Sequence, residues 1–111
     1  MKKLNVLWTT EEKDVALRMI FIYLMDAKGM GWYDEIDLII WGPSARLVAS
    51  DRQVQKELDF LIQSGIKVMA CEGCTQAYKV TEKLRELGIT VKFMGEPLTS
   101  VLHSDEKLIT F

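Results

Sequence analysis

Apolar residues fall into two alternating patterns along the chain. Short, nearly continuous apolar runs predict strands covered on both faces, and apolar residues that recur every three or four positions predict amphipathic helices. No segment is a repeat, a low-complexity tract or a linker. A chain of 111 residues is long enough to bury a core as a single domain, which we assign to residues 1–111. The alternation favours an α/β sandwich with five strands.

The same pattern gives the limits of the elements. Five strands are predicted, over Lys3 to Trp8, Ile36 to Trp41, Ile66 to Ala70, Thr90 to Met94 and Lys107 to Phe111. Two capping boxes, which open helices, are predicted from the spacing of Thr9 with Glu12 and of Ser50 with Gln53. The predicted helices run from Thr9 to about Lys28, from Ser50 to Gly65, from Thr75 to Leu87 with a break near Lys79, and from Pro97 to near His103.

The first predicted helix is apolar around its whole circumference between Val15 and Met25. A sheet can cover only part of such a helix, and large apolar patches on a protein surface usually mark association surfaces. We therefore expect the chain to form a homo-oligomer with this helix in the interface. The alternative is that a neighbouring segment, such as Met30 to Tyr33, folds over the helix.

Composition and charge exclude several classes of protein. The chain is 49% hydrophobic and 27% charged with a net charge of −2, so it lacks the basic excess that nucleic-acid binding needs. The apolar run from Leu4 to Trp8 is too short for a secretory signal, and the run from Val15 to Met25 is too short to cross a bilayer. We expect a cytoplasmic protein without a membrane or nucleic-acid partner, in which cysteines are thiols.

Cys71 and Cys74 are the residues that most strongly indicate chemistry. Cys71 directly follows the third predicted strand, and ligands of open parallel sheets collect at the carboxyl ends of the strands. The other strand ends supply candidate substrate-binding residues, namely Thr9, Thr10, Gly42, Ser44, Arg46 and Gly95. We expect Trp8 and Trp41 to serve mainly in packing at the same edge.

Other uses of a CxxC spacing are less favoured. Only His103 could join the cysteines as a zinc ligand, and its place before the last strand puts it at the opposite edge of a parallel sheet, so a closed site would need ligands from two subunits. Thioredoxin-like dithiols lie early in their chains, whereas this CxxC follows two βα units. Because glycine-rich phosphate loops and a Gly-x-Ser-x-Gly motif are absent, we expect no cofactor, no resident metal and no serine hydrolase.

The remaining possibility is that a cysteine acts as a nucleophile or as a carrier. The thiolate is the reactive form, and a helix N-terminus lowers the pKa of a thiol, so Cys74, just ahead of the third predicted helix, is well placed for such a lowering. The negative charge of Glu72 opposes a thiolate, and Arg46 would offset it if strands two and three bring those ends together. The sequence leaves this balance open.

The order of these parts resembles that of the DsrE/DsrF-like family of small sulfur-trafficking proteins. The resemblance covers essentially the whole chain and rests on the cysteine that ends strand three in IKVMACEGC, on the following LGI and on the last strand, KLITF. It implies a three-layer α/β/α sandwich around a five-stranded, mainly parallel sheet, and assembly as oligomers, often trimers or hexamers. It also implies that Cys71 carries sulfur as a persulfide. The chain departs from the family pattern in that Glu72 follows the cysteine and Lys79 is the first positive charge.

We therefore predict a sulfur carrier or sulfurtransferase-like protein. Cys71 would accept sulfane sulfur from a donor protein and pass it to a partner thiol, with Cys74 as a resolving or second thiol. Two alternatives stay open. One is a non-catalytic oligomeric protein that binds a small molecule or a partner at this edge, with the cysteines as small buried residues, and the other is a CxxC dithiol redox protein.

Overall fold

The computed structural model of the chain describes residues 1–111 and contains one sheet of five parallel strands. The strands are β1 (Lys3–Trp8), β2 (Glu35–Ile40), β3 (Lys67–Cys71), β4 (Thr90–Lys92) and β5 (Lys107–Thr110). Their order across the sheet is β4-β3-β2-β1-β5. The predicted α/β class and the five predicted strands are confirmed, and the whole sheet is parallel.

Helices fill the connections between the strands. The first, α1, covers residues 13–29 in three successive pieces, which are α-helical over Lys13–Val15, π-helical over Ala16–Ile20 and α-helical over Phe21–Gly29. The others are α2 (Ser44–Ser50), α3 (Arg52–Gln63), α4 (Glu72–Ala77), α5 (Thr81–Glu86) and α6 (Gly95–Leu102). None of them is long and apolar enough to span a bilayer.

The direction of each connection decides which face of the sheet a helix covers. From β1 to β4 the chain steps to the next strand in one direction, and right-handed crossovers then place α1 to α5 on the same face. The connection from β4 to β5 runs back to the far edge, so α6 lies on the opposite face. We call the first of these the covered face and the second the open face.

The covered face holds the main hydrophobic core. One cluster of 22 buried residues joins the alternate strand positions, such as Val6, Leu38 and Ala70, to the inner sides of the helices. Trp8 is fully buried among them, with its ring edge-on to Phe21 at a centroid distance of 5.4 Å. The expectation that Trp8 serves in packing is confirmed.

The open face has a far smaller apolar core. Only Ile39, Cys71 and Met94 are buried there as a cluster. Toward the amino ends of the strands this face becomes polar, and the Lys3 ammonium lies 3.1 Å from the Asp37 carboxylate. A cleft of about 730 Å³ separates the sheet from α6 on this side.

The capping box predicted at Thr9 is wrong. The Thr9 hydroxyl donates instead to the carbonyl of Phe111 at 2.7 Å, which ties the end of β1 to the end of the chain. The helix α1 begins only at Lys13, after Glu12, and no side chain caps it. A hydroxyl beside a parallel neighbour strand has a main-chain acceptor at hand, and that bond replaces the predicted cap.

The second capping box is also wrong. Ser50 ends α2, a helix that the sequence pattern did not predict, and its hydroxyl donates back to the carbonyl of Arg46 at 2.9 Å. The next residue, Asp51, caps α3 by accepting the main-chain N–H of Val54 at 2.9 Å. A carboxylate and a hydroxyl are comparable caps, so the spacing alone placed the helix start one residue early.

The predicted break near Lys79 is confirmed. Lys79 has φ of 60°, a left-handed conformation through which an α-helix does not continue. The third predicted helix is therefore two helices, α4 and α5, and α4 begins at Glu72 rather than at Thr75. As a result Cys71 is the last residue of β3, and Cys74 lies inside α4 instead of ahead of it.

One side of α1 is buried and the other carries exposed apolar side chains. Met19 and Ile22 are 52% and 50% exposed. The segment after the helix folds back over part of this surface, since the Trp32 ring lies 6.0 Å from the Tyr23 ring. The exposed set, which we call the α1 patch, consists of Met19, Ile22, Tyr23, Met30 and Trp32. An oligomer formed through this patch remains a prediction.

Candidate functional site

Cys71 lies where the connections of two neighbouring strands part. The chain leaves β3 toward the covered face, and it leaves β4 toward the open face. In parallel sheets such a switch point opens a crevice at the carboxyl ends of the two strands, where ligands bind. Cys71 ends β3 and is in register with Lys92 at the end of β4. The cysteine predicted from the sequence therefore stands at the position that the topology favours for a site.

The Cys71 side chain belongs to the open-face cluster. It is 9% exposed and packs with Ile39 and Met94, with Trp41 and Met69 against the same cluster. A methyl group added at Gly73 would stand 3.9 Å from the Cys71 sulfur, so the first turn of α4 approaches this sulfur closely. The thiol thus sits in an apolar surrounding that excludes most water.

Cys74 is the more exposed of the two thiols and is held by the loop after β2. Both cysteines are free, and their side chains lie close together. The main-chain N–H of Gly42 donates to the Cys74 sulfur at 3.2 Å. Gly42 has φ of 70°, which favours glycine, so this residue type lets the loop turn its N–H toward the cysteine pair. Gly42 is the predicted binding residue that the structure brings to the pair.

The structure gives the direction of the Cys74 pKa shift, which the sequence left open. Burial raises the pKa of the Cys74 thiol, and its hydrogen bond with Cys71 raises it further. The N–H of Gly42 acts in the opposite direction without reversing the shift. Desolvation of a charged sulfur outweighs one main-chain donor, so Cys74 keeps its proton at neutral pH.

The charges around the pair differ from those expected. The Glu72 carboxylate turns away to Arg85, at 3.5 Å, and accepts from the amide of Gln76 at 3.2 Å. Arg46 does not offset Glu72, because it pairs with Glu11 at 2.6 Å. Arg85 pairs with Glu72, and Lys92 on β4 is in register with Cys71.

Ser44, Thr9 and Thr10 have main-chain partners. Ser44 is fully buried, and its hydroxyl donates to the carbonyl of Trp8 at 2.6 Å while accepting the N–H of Trp41 at 3.2 Å. The Thr9 hydroxyl is bound to the end of the chain, and the Thr10 hydroxyl accepts the N–H of Glu12 at 3.1 Å. These bonds fix the strand ends that hold the site.

The last two candidate binding residues, Arg46 and Gly95, lie at the borders of the site. The Arg46 guanidinium stacks on the Tyr78 ring at 4.8 Å, just beyond α4. Gly95 begins α6 directly after Met94, whose side chain covers Cys71. The structure thus gathers Cys71, Cys74 and Gly42 at the centre, with Gly95 and Arg46 further out.

The apolar wall of the site consists of Leu7, Ile39, Trp41, Met69 and Met94, of which sequence reasoning predicted only Trp41 as a packing residue at this edge. The sequence holds a signal for this wall in the alternation of side chains along a strand. Ile39 is two positions before Trp41, and Met69 is two positions before Cys71, so each pair shares one face of the sheet. The strand order was needed to use that signal.

The donors at the site suit thiol chemistry. No three His, Cys, Asp or Glu side chains are grouped so as to hold a metal ion. The two cysteine sulfurs can attack, hold and release a sulfur atom, or form a disulfide with each other. The main-chain N–H can donate a hydrogen bond to a sulfur.

Comparisons with known proteins agree with this architecture. No model of a protein family and no curated protein matches the chain. The structure is similar to that of a conserved protein of unknown function, BT1422 from Bacteroides thetaiotaomicron, with 43% identity and a TM-score of 0.97 over 99% of this chain and 95% of that one.

Two more distant structures share the fold. The first is MTH1491 from Methanobacterium thermoautotrophicum, a protein of unknown function, with 12% identity and a TM-score of 0.80 over the whole of both chains. The second is the E. coli ychN protein, with 16% identity and a TM-score of 0.66 over 100% of this chain and 99% of that one. At these identities the likeness concerns the fold alone. It supports a DsrE-like α/β fold with helices on both faces of a parallel sheet.

Proposed function

We propose that this chain, which belongs to the same family as BT1422 of Bacteroides thetaiotaomicron, is a carrier of sulfane sulfur in the cytoplasm. The observation that carries the proposal is a pair of free thiols at the switch point of a DsrE-like sheet. Cys71 holds the sulfur as a persulfide, and Cys74 is the second thiol. The DsrE-like fold and the cysteine at the end of β3 support a relationship to the DsrE/DsrF-like family, which we propose with it.

The transfer needs no change in overall oxidation state. The Cys71 thiolate attacks the outer sulfur of a donor persulfide, the S–S bond of the donor breaks, and the donor leaves as a thiolate. Delivery repeats the step in reverse, since an acceptor thiolate attacks the outer sulfur and Cys71 leaves as the thiolate.

A second route releases the sulfur without an acceptor thiol, and this route uses Cys74. After the Cys74 thiol has lost its proton, its sulfur attacks the Cys71 sulfur, the outer sulfur leaves and takes up a proton as hydrogen sulfide, and a disulfide joins the two cysteines. An external thiol must then reduce that disulfide to restore the pair. The short distance between the two sulfurs supports this branch, and it also favours a dithiol redox protein as the second candidate.

The apolar wall supports storage of the persulfide. A persulfide in water exchanges its outer sulfur with any thiol present, and Ile39, Trp41 and Met94 restrict access to Cys71. The crevice between β3 and β4 leaves an approach for an acceptor of matching shape.

Loading is tested by intact mass spectrometry of the reduced protein after incubation with a persulfide donor. We expect Cys74→Ser to gain about 32 Da, one sulfur atom, and to keep it after the donor is removed, whereas Cys71→Ser does not keep it. Wild type should gain the same sulfur and lose it only as the disulfide between Cys71 and Cys74 forms. The two serine variants are matched controls for each other. No retained sulfur in any of them would contradict the carrier and favour the non-catalytic binding protein.

We also propose that the chain assembles with copies of itself through the α1 patch, as a trimer or hexamer. The exposed apolar residues lie on two turns of one helix and on the next segment, where Trp32 packs against Tyr23, and large apolar patches usually bind a protein partner. The partners of sulfur transfer would then approach the opposite end of the sheet, where the cysteines lie.

A further inference from the structure

We propose that the cleft on the open face binds a small zwitterion of the amino-acid class. Its ammonium group would lie at Asp37, its carboxylate at Lys67 and its apolar side chain further along the strands. The cleft has a volume of about 730 Å³, within the usual range of small-molecule sites. This site does not depend on the proposed chemistry of the cysteines.

The floor of the cleft is polar where a parallel sheet is ordinarily apolar. Asn5 of β1 and Asp37 of β2 lie side by side in register on two interior strands and are only 1% and 8% exposed. Interior strands of parallel sheets usually carry continuous apolar runs. Because the burial of polar and charged groups costs free energy that an apolar pair would avoid, this pair points to a role in binding.

One oxygen of Asp37 has no partner. Its Oδ2 atom lies 3.1 Å from the Lys3 ammonium, whereas its Oδ1 atom is buried and accepts no hydrogen bond. A buried carboxylate oxygen without a donor is costly, and nearly all such atoms in folded proteins are satisfied. Since Asp37 lines the cleft, a ligand bound there can supply the missing donor.

The charges around Asp37 favour an ammonium group as that donor. The Lys3 ammonium also lies 3.8 Å from a Glu35 oxygen and 3.6 Å from a Glu106 oxygen. With Asp37, three carboxylates therefore face a single cation, and a second cation is attracted to the same place. Lys3 can turn toward the two glutamates as the ligand ammonium reaches Asp37.

The neighbouring strand supplies the opposite charge. Lys67 of β3 is in register with Asp37, is exposed and lines the cleft. None of the ion pairs of the chain includes Lys67. Neighbouring strands are about 4.8 Å apart, a spacing that one molecule with an ammonium and a carboxylate on the same carbon atom can bridge.

Beyond these charges the cleft becomes apolar. Ile39 and Met69 each lie two positions further along β2 and β3 than the two charged residues, and Met94 packs with Ile39. All three line the cleft, and Pro97 of α6 lies among its lining residues as well. The side chain of an apolar amino acid would be buried against this surface while its charged groups stay at the polar end.

Three related probes test the site on the whole chain. They are leucine, isoamylamine, which lacks the carboxylate of leucine, and isocaproate, which lacks its ammonium group. Titration of isotope-labelled protein, followed by the amide NMR shifts, gives both the affinity and the place of binding. We expect the amides of Lys67 and Met69 to shift, and leucine to bind at least about tenfold more tightly than either of the other probes.

Two substitutions assign the charged groups of the ligand. Asp37→Asn should weaken leucine and isoamylamine about tenfold and leave isocaproate unchanged, whereas Lys67→Gln should weaken leucine and isocaproate and leave isoamylamine unchanged. Asp59→Asn, on the exposed side of α3, is the matched control and should change none of the three affinities. Because Lys67 is exposed and has no ion pair, its variant tests the site even if Asp37→Asn lowers stability.

Three results would overturn the inference. The first is the absence of shifts at Lys67 and Met69 with millimolar leucine, as expected if only water or a second copy of the chain occupies the cleft. The second is equal affinity for the three probes. The third is a leucine affinity that neither Asp37→Asn nor Lys67→Gln changes.

Discussion

The two faces of the sheet differ in how much they bury and in what they hold. The covered face packs α1 to α5 on one cluster of 22 buried residues, whereas the open face has α6 and a cluster of three. Both cysteines lie at the edge of the sparsely covered side. A sheet whose main core lies on one face can keep a small apolar cluster and a cleft on the other, and the candidate site lies on that second face.

The connection from β4 to β5 produces this difference. If the last strand had been added beside β4, its connecting helix would lie on the covered face like the others. The sheet would then have no switch point between β3 and β4. The return to the far edge moves α6 to the open face and brings Met94 over Cys71. One reversal of direction thus supplies both the crevice and the wall of the site.

The largest expected effect comes from adjacent residues of β2 that point to opposite faces. Leu38→Ala opens a cavity in the covered core and should lower the free energy of unfolding by about 3 to 4 kcal/mol, while Ile39→Ala on the open face should cost about 2 kcal/mol, because the smaller cluster can relax. Chemical denaturation monitored by tryptophan fluorescence measures both.

The same two substitutions should differ in their effect on the reactivity of Cys71. Ile39→Ala removes a side chain that packs on Cys71 and should speed its alkylation in the folded protein, and Leu38→Ala should not under conditions where it remains folded. The division between the faces is mistaken if Leu38→Ala exposes Cys71 as much as Ile39→Ala does.

A smaller effect is expected at the loop beside the cysteines. Gly42→Ala finds no atom within 4 Å of its new methyl group, so its cost of about 1 kcal/mol comes from the left-handed backbone alone. Gly95→Ala is the matched control, since Gly95 also has open space and has no positive φ, and it should be neutral or slightly stabilising. Thermal unfolding compares the two, and equal losses of stability would remove the special role of the Gly42 backbone.

Acid should act in part through Asp51, which caps α3 on the covered face. The N–H of Val54 and then the Lys13 ammonium lower the pKa of Asp51, so its contribution is complete above the ordinary aspartate pKa of about 3.9 and is lost as the pH falls through the lowered folded value. Asp51→Asn can keep the cap but cannot titrate, and its unfolding should depend less on pH below about pH 4 than that of wild type. Parallel pH curves for the two proteins would contradict this assignment.

The smallest effect on stability is expected at the α1 patch. Ile22 is half exposed, so Ile22→Asp should change the unfolding of an isolated chain little while it places a charge in the proposed interface. Light scattering after gel filtration should show an oligomer for wild type and a smaller species for the variant, with Lys56→Asp on the exposed side of α3 as a control. A wild type that is monomeric at micromolar concentration would dispose of the interface.

Much of the sheet could be predicted from the sequence because its signals are local. The continuous apolar run of β2 and the alternation in β3 identify strands, and Gly65 and Gly88, both with positive φ, end helices where the pattern predicts. Cys71 could be placed at the carboxyl edge for the same reason.

The remaining features depend on residues far apart in the chain. The bond from Thr9 to Phe111 spans 102 positions, and the contact of Gly42 with Cys74 spans 32. Neither partner is marked by spacing, so the capping box at Thr9 was predicted from a local signal that a distant contact overrides, and the direction of the Cys74 pKa shift stayed open. The sense of the Cys74 shift follows from its burial, which the sequence could not give.

The central claim is that Cys71 carries sulfur from a donor to an acceptor, and a transfer measurement tests it most directly. Wild-type protein would be loaded with a persulfide donor, freed of the donor and mixed with a thiol acceptor, and the masses of both would be followed with time. The account predicts that the protein loses about 32 Da as the acceptor gains it, and that Cys71→Ser transfers nothing. A loaded mass that never forms, or a sulfur that transfers equally well from Cys71→Ser, would contradict it.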